Sequence, residues 1–190
     1  MKNKIITAAI LSSSILFADT IYVSNEKDNT ISVIDSLTNT VTETIKVGQR
    51  PRGILLNNDK TQLYICASDD DTVQVLDLKT KKIIYNLPSG EDPEQFALTP
   101  DGKELYVSNE DDAIVTVVDT VNRSVVTQIE VGVEPEGMAV SPDGTVAINT
   151  TETSNFLHWI DTKTKKIIHN TLVDQRPRHI EFSKTGDRVW

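Results

Sequence analysis

A single cysteine, Cys66, stands in the 190 residues, so the chain cannot close an internal disulfide. Cys66 sits in an apolar stretch where the repeats described below carry Ser24, Ser108 and Thr150. A reactive thiol needs a basic setting, so Cys66 reads as a buried, inert side chain. Histidine is scarce too: His158, His169 and His179 are all there are, with no zinc spacing, no HExxH and no paired cysteines. GxSxG, P-loop and dinucleotide fingerprints are missing, so the expectation is no cofactor and no metal. The acidic runs Asp69–Asp71 and Glu110–Asp112 lack the ligand order of an EF-hand and fall at hairpin turns.

Positive charge is also short, with 19 lysines and arginines against 28 acids. Lys2 and Lys4 precede an uncharged apolar stretch from Ile5 to Ala18, the layout of a secretory signal too short to span a bilayer. Removal of residues 1–18 takes the formal charge from −9 to −11, and no cysteine stands at the junction to carry a lipid. Such acidity repels nucleic acid and anionic membrane surfaces, which excludes both as partners. No second long apolar run follows, so no membrane insertion is expected. The chain reads as exported, either periplasmic or secreted.

Helical periodicity is absent as well. In its place is a repeat of 42 residues, carried by Pro51, Pro93, Pro135 and Pro177, by Asp35, Asp77, Asp119 and Asp161, and by Tyr22, Tyr64 and Tyr106. Within each unit apolar residues alternate with period two, as in half-buried strands. In the unit from Pro51, "RGILL", "QLYICA", "TVQVLD" and "KIIYNL" read as four strands. "NNDK" marks a turn whose counterparts "TPDG" and "SPDG" pair a preset proline with a glycine free to take positive φ. The repeated aspartate opens a second turn, where its carboxylate can accept backbone amides.

A four-stranded antiparallel sheet repeated without helices must pack its faces against its own copies around an axis, which describes an all-β fold, the β-propeller. The expected organisation is a signal at 1–18, a partial blade at 20–50, blades at 51–92, 93–134 and 135–176, and the start of another at 177–190. About four units are present, and the expectation is part of a roughly seven-bladed ring. The strand after each proline should be innermost.

The proline slots then ring one channel mouth. They place Arg50 and Arg52 in one blade, Asp92 and Glu94 in the next, Glu134 and Glu136 in the third, and Arg176 and Arg178 in the last. Two readings stand: the charges pair across blades, or they form a bipolar recognition ring whose arginines take a carboxylate or phosphate. The fourth unit departs most from its sisters, with His158 and Trp159 on its third strand and His179 and Glu181 on the innermost segment. Residues two apart share a strand face, so His179 and Glu181 are expected as neighbours, either a structural ion pair or a ligand site.

The segments "LYVSNEDDAIVTVVD" and "IYVSNEKDNTISVID" resemble YVTN-type β-propeller repeats over essentially the whole mature chain. With "VGQRPRGI", "VGVEPEGMAVSPDG", "HWID" and "RPRHIEFS", the chain is most similar to the exported propellers associated with PQQ-dependent catabolism. That resemblance implies a periplasmic, non-catalytic accessory or scaffold protein of alcohol oxidation, binding a protein partner or a small anionic ligand. A propeller enzyme or cofactor-binding protein with its catalytic residues in further blades, and a cell-surface adhesion protein, are the alternatives. Quinoprotein dehydrogenase propellers carry a tryptophan-rich docking repeat, and this chain has only Trp159 and Trp190, so no PQQ site is carried over.

Overall fold

A computed structural model describes residues 19–190; the expected signal segment, 1–18, lies outside them. Fifteen strands fall into four antiparallel sheets. The first holds β1 (Thr20–Asn25), β2 (Thr30–Asp35) and β3 (Thr40–Lys46). The second runs β4 (Pro51–Leu56), β5 (Gln62–Ala67), β6 (Thr72–Asp77) and β7 (Lys82–Pro88). The third is β8 (Pro93–Leu98), β9 (Glu104–Asn109), β10 (Ile114–Asp119) and β11 (Ser124–Glu130). The fourth is β12 (Pro135–Val140), β13 (Val146–Thr151), β14 (Phe156–Asp161) and β15 (Lys166–Leu172). These are the blades of a propeller, and β4, β8 and β12 lie side by side along its axis.

Cores form between blades, because each sheet has two apolar faces to cover. Tyr64, Cys66, Val73 and Val75 of the second blade close on Phe96, Leu105 and Val107 of the third. Tyr106, Val115 and Val117 close on Met138, Ala147 and Ile160 of the fourth in the same way. Cys66 is fully buried, and burial pushes its thiol well above its usual pKa. Among the described residues, no helix is long and apolar enough to cross a membrane.

The turns follow the repeated aspartates. Asp35 Oδ1 accepts the amides of Leu37 and Thr38, Asp119 Oδ1 those of Val121 and Asn122, and Asp161 Oδ1 that of Thr164. These amide bonds draw the Asp35 and Asp119 carboxyls below their usual pKa, and for Asp161 the Thr164 hydroxyl does most of it, followed by the amide. Gly102 and Gly144 take φ of +74° and +73° in the proline turns.

Two irregularities recur. The innermost pairing shifts register between Pro51 and Ile54, between Pro93 and Phe96, and between Pro135 and Met138. A bulge of this kind frees the two intervening residues from the ladder and re-aims their side chains. Residues 177–190 form a smaller hairpin, joined by the bridge Phe182–Val189 and by exchanged amide bonds between Glu181 and Trp190. It packs Ile180, Phe182 and Val189 against Ala139, Ile148 and Trp159 of the fourth blade.

Candidate functional site

The bulge after Pro51, Pro93 and Pro135 turns the next charged side chain out of the sheet and toward its neighbours. Arg52, Glu94, Glu136 and Arg178 make one ring at the 42-residue period, and Arg50, Asp92, Glu134 and Arg176 a second. The second-ring residues all hold left-handed backbone, with φ of 49°, 48°, 57° and 58°. A non-glycine residue pays for that conformation, so something must hold it there.

Side chains of neighbouring hairpins do so. Asn29 Oδ1 accepts the amide of Arg50 at 2.9 Å, Asp71 Oδ1 that of Asp92 at 3.1 Å, and Asn155 Oδ1 that of Arg176 at 2.9 Å. The preceding amides are held similarly: Gln49 by Asp70, Glu91 by Asp112 and Val133 by Ser154. The acidic hairpin runs are therefore largely a backbone clasp.

The structure brings the slot charges into contact across blades. Arg50 reaches Glu94 Oε1 at 2.9 Å, Asp92 Oδ2 at 3.1 Å, Asp69 at 3.2 Å and Glu26 at 3.4 Å. Arg52 Nη2 lies 2.5 Å from Glu94 Oε2, without hydrogen-bond alignment, and 3.9 Å from Glu136. Arg178 binds Glu152 at 2.5 Å and stands 3.9 Å from Glu136; Arg176 also pairs with Glu152. The hydroxyl of Thr153 donates to the carboxylate of Glu134.

Burial separates the two signs. Glu94 and Glu136 are buried, with 0% and 5% exposure, whereas Arg176 and Arg178 expose 66% and 56% of their side chains. Burial pushes the Glu94 carboxyl up to about 8, against the pull of Arg52, and the Glu136 carboxyl up to about 7. Glu152 moves the other way, because Arg178 hydrogen-bonds its charged form.

A third ring escaped the sequence reading. Glu26, Ser68, Glu110 and Glu152 also recur every 42 residues, at the turns β1–β2, β5–β6, β9–β10 and β13–β14. Their shared period was the available signal, but nothing in it says which residue of an acidic turn faces the channel.

His158, Trp159, His179 and Glu181 do not join the mouth network. His158 is buried, its Nε2 accepting the Gly132 amide at 3.1 Å and its Nδ1 paired with Asn170 Oδ1 at 2.8 Å. Trp159 donates its indole N–H to Thr171 Oγ1 at 3.0 Å and packs against the last hairpin. His179 and Glu181 are both exposed, and no hydrogen bond or ion pair joins them among the described residues.

This arrangement defines a β-propeller with a network of charge that joins neighbouring blades beside the innermost strands. The chain belongs to the YNCE-like beta-propeller family, whose model matches residues 3–109. The model of the cytochrome D1 heme domain, also a propeller, matches residues 58–172. Among solved structures, the chain is similar to hydrazine synthase of Kuenenia stuttgartiensis at 24% identity and a TM-score of 0.82. That match covers 90% of this chain and 51% of the other, so the chain spans about half the length of this relative. A search of curated proteins finds no match.

The second family model raises the question of a haem. Haem iron needs a side chain free to ligate it. Both ring nitrogens of His158 are engaged, and His169 and His179 are exposed on an outer strand and the terminal hairpin. The apolar cavity of about 470 Å³ along the inner strands is lined by residues such as Phe96, Met138 and Ile180, with no histidine. Among the described residues, no histidine with a free ring nitrogen lines this cavity.

Proposed function

We propose that this chain is an exported, non-catalytic propeller that holds a protein partner at its charged mouth and serves PQQ-dependent alcohol oxidation. The observation that carries the reading is the state of Arg176 and Arg178. Both are held by Glu152 of the preceding hairpin. A guanidinium already held in place loses little freedom on binding and keeps donors for a partner's carboxylate. Arg50 and Arg52 are enclosed by Asp92, Glu94, Glu26 and Asp69, which leaves little for a free anion. Export is supported by Lys2, Lys4 and the apolar stretch from Ile5 to Ala18, and the alcohol-oxidising setting by the repeat wording "YVSNEKDNTISVID" and "RPRHIEFS".

The test is co-purification from the periplasm of the alcohol-grown host, with wild type and with Arg176→Ala/Arg178→Ala. The expected result is an alcohol-oxidising protein retained by wild type and lost from the double variant, with unchanged circular dichroism. The same proteins retained by both would overturn the reading.

A further inference from the structure

Around Arg50 and Arg52 the carboxylates outnumber the guanidinium groups: Glu26, Asp69, Asp92 and Glu94 touch them, and Glu110 stands against Glu94. One oxygen each from Asp92, Glu94 and Glu110 lies within 4.8 Å of the other two. Asp92 Oδ1 is buried with no hydrogen-bond partner, and Glu94 Oε2, on a side chain with no exposed surface, meets only the unaligned Nη2 of Arg52. An unpartnered buried carboxylate oxygen is costly unless a cation or a proton meets it. Arg50 occupies the opposite oxygens, Asp92 Oδ2 and Glu94 Oε1.

We propose that Asp92, Glu94 and Glu110 form a binding site for a hard divalent cation, calcium in preference to magnesium. The donors are all carboxylate oxygens, which suit a hard ion. Calcium accepts several protein carboxylates in a flexible geometry, whereas magnesium demands near-ideal octahedral geometry and keeps most of its waters. Glu110 is half-buried and opens the cluster to the mouth, where water completes the coordination. Its turn neighbour Asp112 is spent on the Glu91 amide at 2.7 Å, so Glu110 is the acid left to face the ion.

Arg52 is the competitor. Its Nη2 sits 2.5 Å from Glu94 Oε2, and its Nη1 already lies 3.5 Å from Glu26, to which it retires as the ion enters. The next blade repeats the three acids as Glu134, Glu136 and Glu152, but there Thr153 holds Glu134, and Arg176 and Arg178 hold Glu152. The cation site is thus specific to one blade interface, and it does not depend on the partner reading.

The test is calorimetric titration of the chelator-treated full chain with calcium chloride and with magnesium chloride. One calcium per chain is expected, with magnesium at least about tenfold weaker. Glu110→Gln should weaken calcium binding by about tenfold or more with unchanged circular dichroism, whereas Asp111→Asn should not. Arg52→Gln should tighten it. No calcium binding up to millimolar concentration, undiminished binding by Glu110→Gln, or weaker binding by Arg52→Gln would each overturn the proposal.

Discussion

Asn29 Oδ1 accepts the backbone amide of Arg50, a residue held at φ 49° immediately before a proline. Asn155 does the same for Arg176. The pattern makes Arg50, Asp92 and Arg176 depend on the hairpin of the preceding blade, so a rigid charged rim follows from paired contacts between neighbours. Stability in such repeats is chiefly a matter of these nearest-neighbour interfaces.

The third member of this series shows what the clasp contributes. Ala113 occupies the position of Asn29, Asp71 and Asn155, takes φ of 54° itself, and offers no side-chain acceptor to the Glu134 amide. Asparagine tolerates that left-handed backbone better than alanine does. Ala113→Asn is therefore expected to stabilise the protein by about 1 kcal/mol, through restored hydrogen bonding and lower strain. Urea unfolding, followed by circular dichroism, reads this as a higher midpoint with an unchanged slope. An unchanged or lower midpoint would sink the clasp as an energetic feature.

His158 performs the same work two residues earlier in the slot loop. Its Nε2 accepts the Gly132 amide, and in the second blade Gln74 Oε1 accepts the Gly48 amide at 2.7 Å. His158→Gln should then cost less than about 1 kcal/mol, whereas His158→Ala strands the amide and empties space, at about 2 kcal/mol or more. Burial lowers the His158 pKa below its ordinary 6.5. The folded chain therefore resists the proton that the unfolded chain takes up, and stability is lost as pH falls below that value. Comparing urea midpoints at pH 7.5 and 5.5 in wild type and His158→Gln isolates this contribution, which the glutamine variant should lack.

The buried glutamates act in the opposite sense. Burial raises Glu94 from 4.5 to about 8, so between those values the folded chain binds a proton that the unfolded chain has released. Its contribution to stability is fully present below 4.5 and is lost as pH rises to about 8. Glu94→Gln keeps the protonated shape without the titration, and should flatten that fall by more than about 1 kcal/mol, the equivalent of one unit. Melting temperatures across pH 5 to 9, with calcium removed by chelator, make the comparison. A wild-type curve rising through this range and unchanged by Glu94→Gln would show that Glu94 is ionised throughout.

The propeller was legible because its determinants are local. Alternation in "QLYICA" and "TVQVLD" marks half-buried strands, and the glycines Gly102 and Gly144 mark turns that need positive φ, each within a few residues. The slot prolines likewise announced where charge would gather. What alternation could not show was the partner of each side chain. His179 and Glu181 obey the two-residue rule on paper, but their segment pairs only at Phe182–Val189, and both side chains stay exposed. Glu110 and Asp112 sit in one turn; the first meets Glu94 and the second clasps a backbone amide. That choice rests on turn geometry and on a neighbouring blade, neither of which a short window of sequence contains.

The axis carries a further device that only the packed blades reveal. Gly53, Gln95, Gly137 and His179 recur at the 42-residue period, small alternating with large. A Cβ on Gly53 would meet the Glu94 carbonyl oxygen at 2.6 Å, Gln95 Oε1 at 2.9 Å and Gln95 Cα at 3.2 Å. Gln95 can swing aside, but the Glu94 backbone belongs to β8 and moves only with its strand. Gly53→Ala should accordingly cost about 1–3 kcal/mol, the range for overpacking a close contact. It should also displace Glu94 from Arg50 and Arg52. The reciprocal change, Gln95→Gly, removes bulk rather than adding it and leaves the β4–β8 approach intact. Urea midpoints of the two variants test this directly: a large loss for Gly53→Ala beside a small one for Gln95→Gly supports close strand approach as the reason for the glycine. A loss for Gly53→Ala no larger than that for Gln95→Gly would overturn close strand approach as the reason for the glycine.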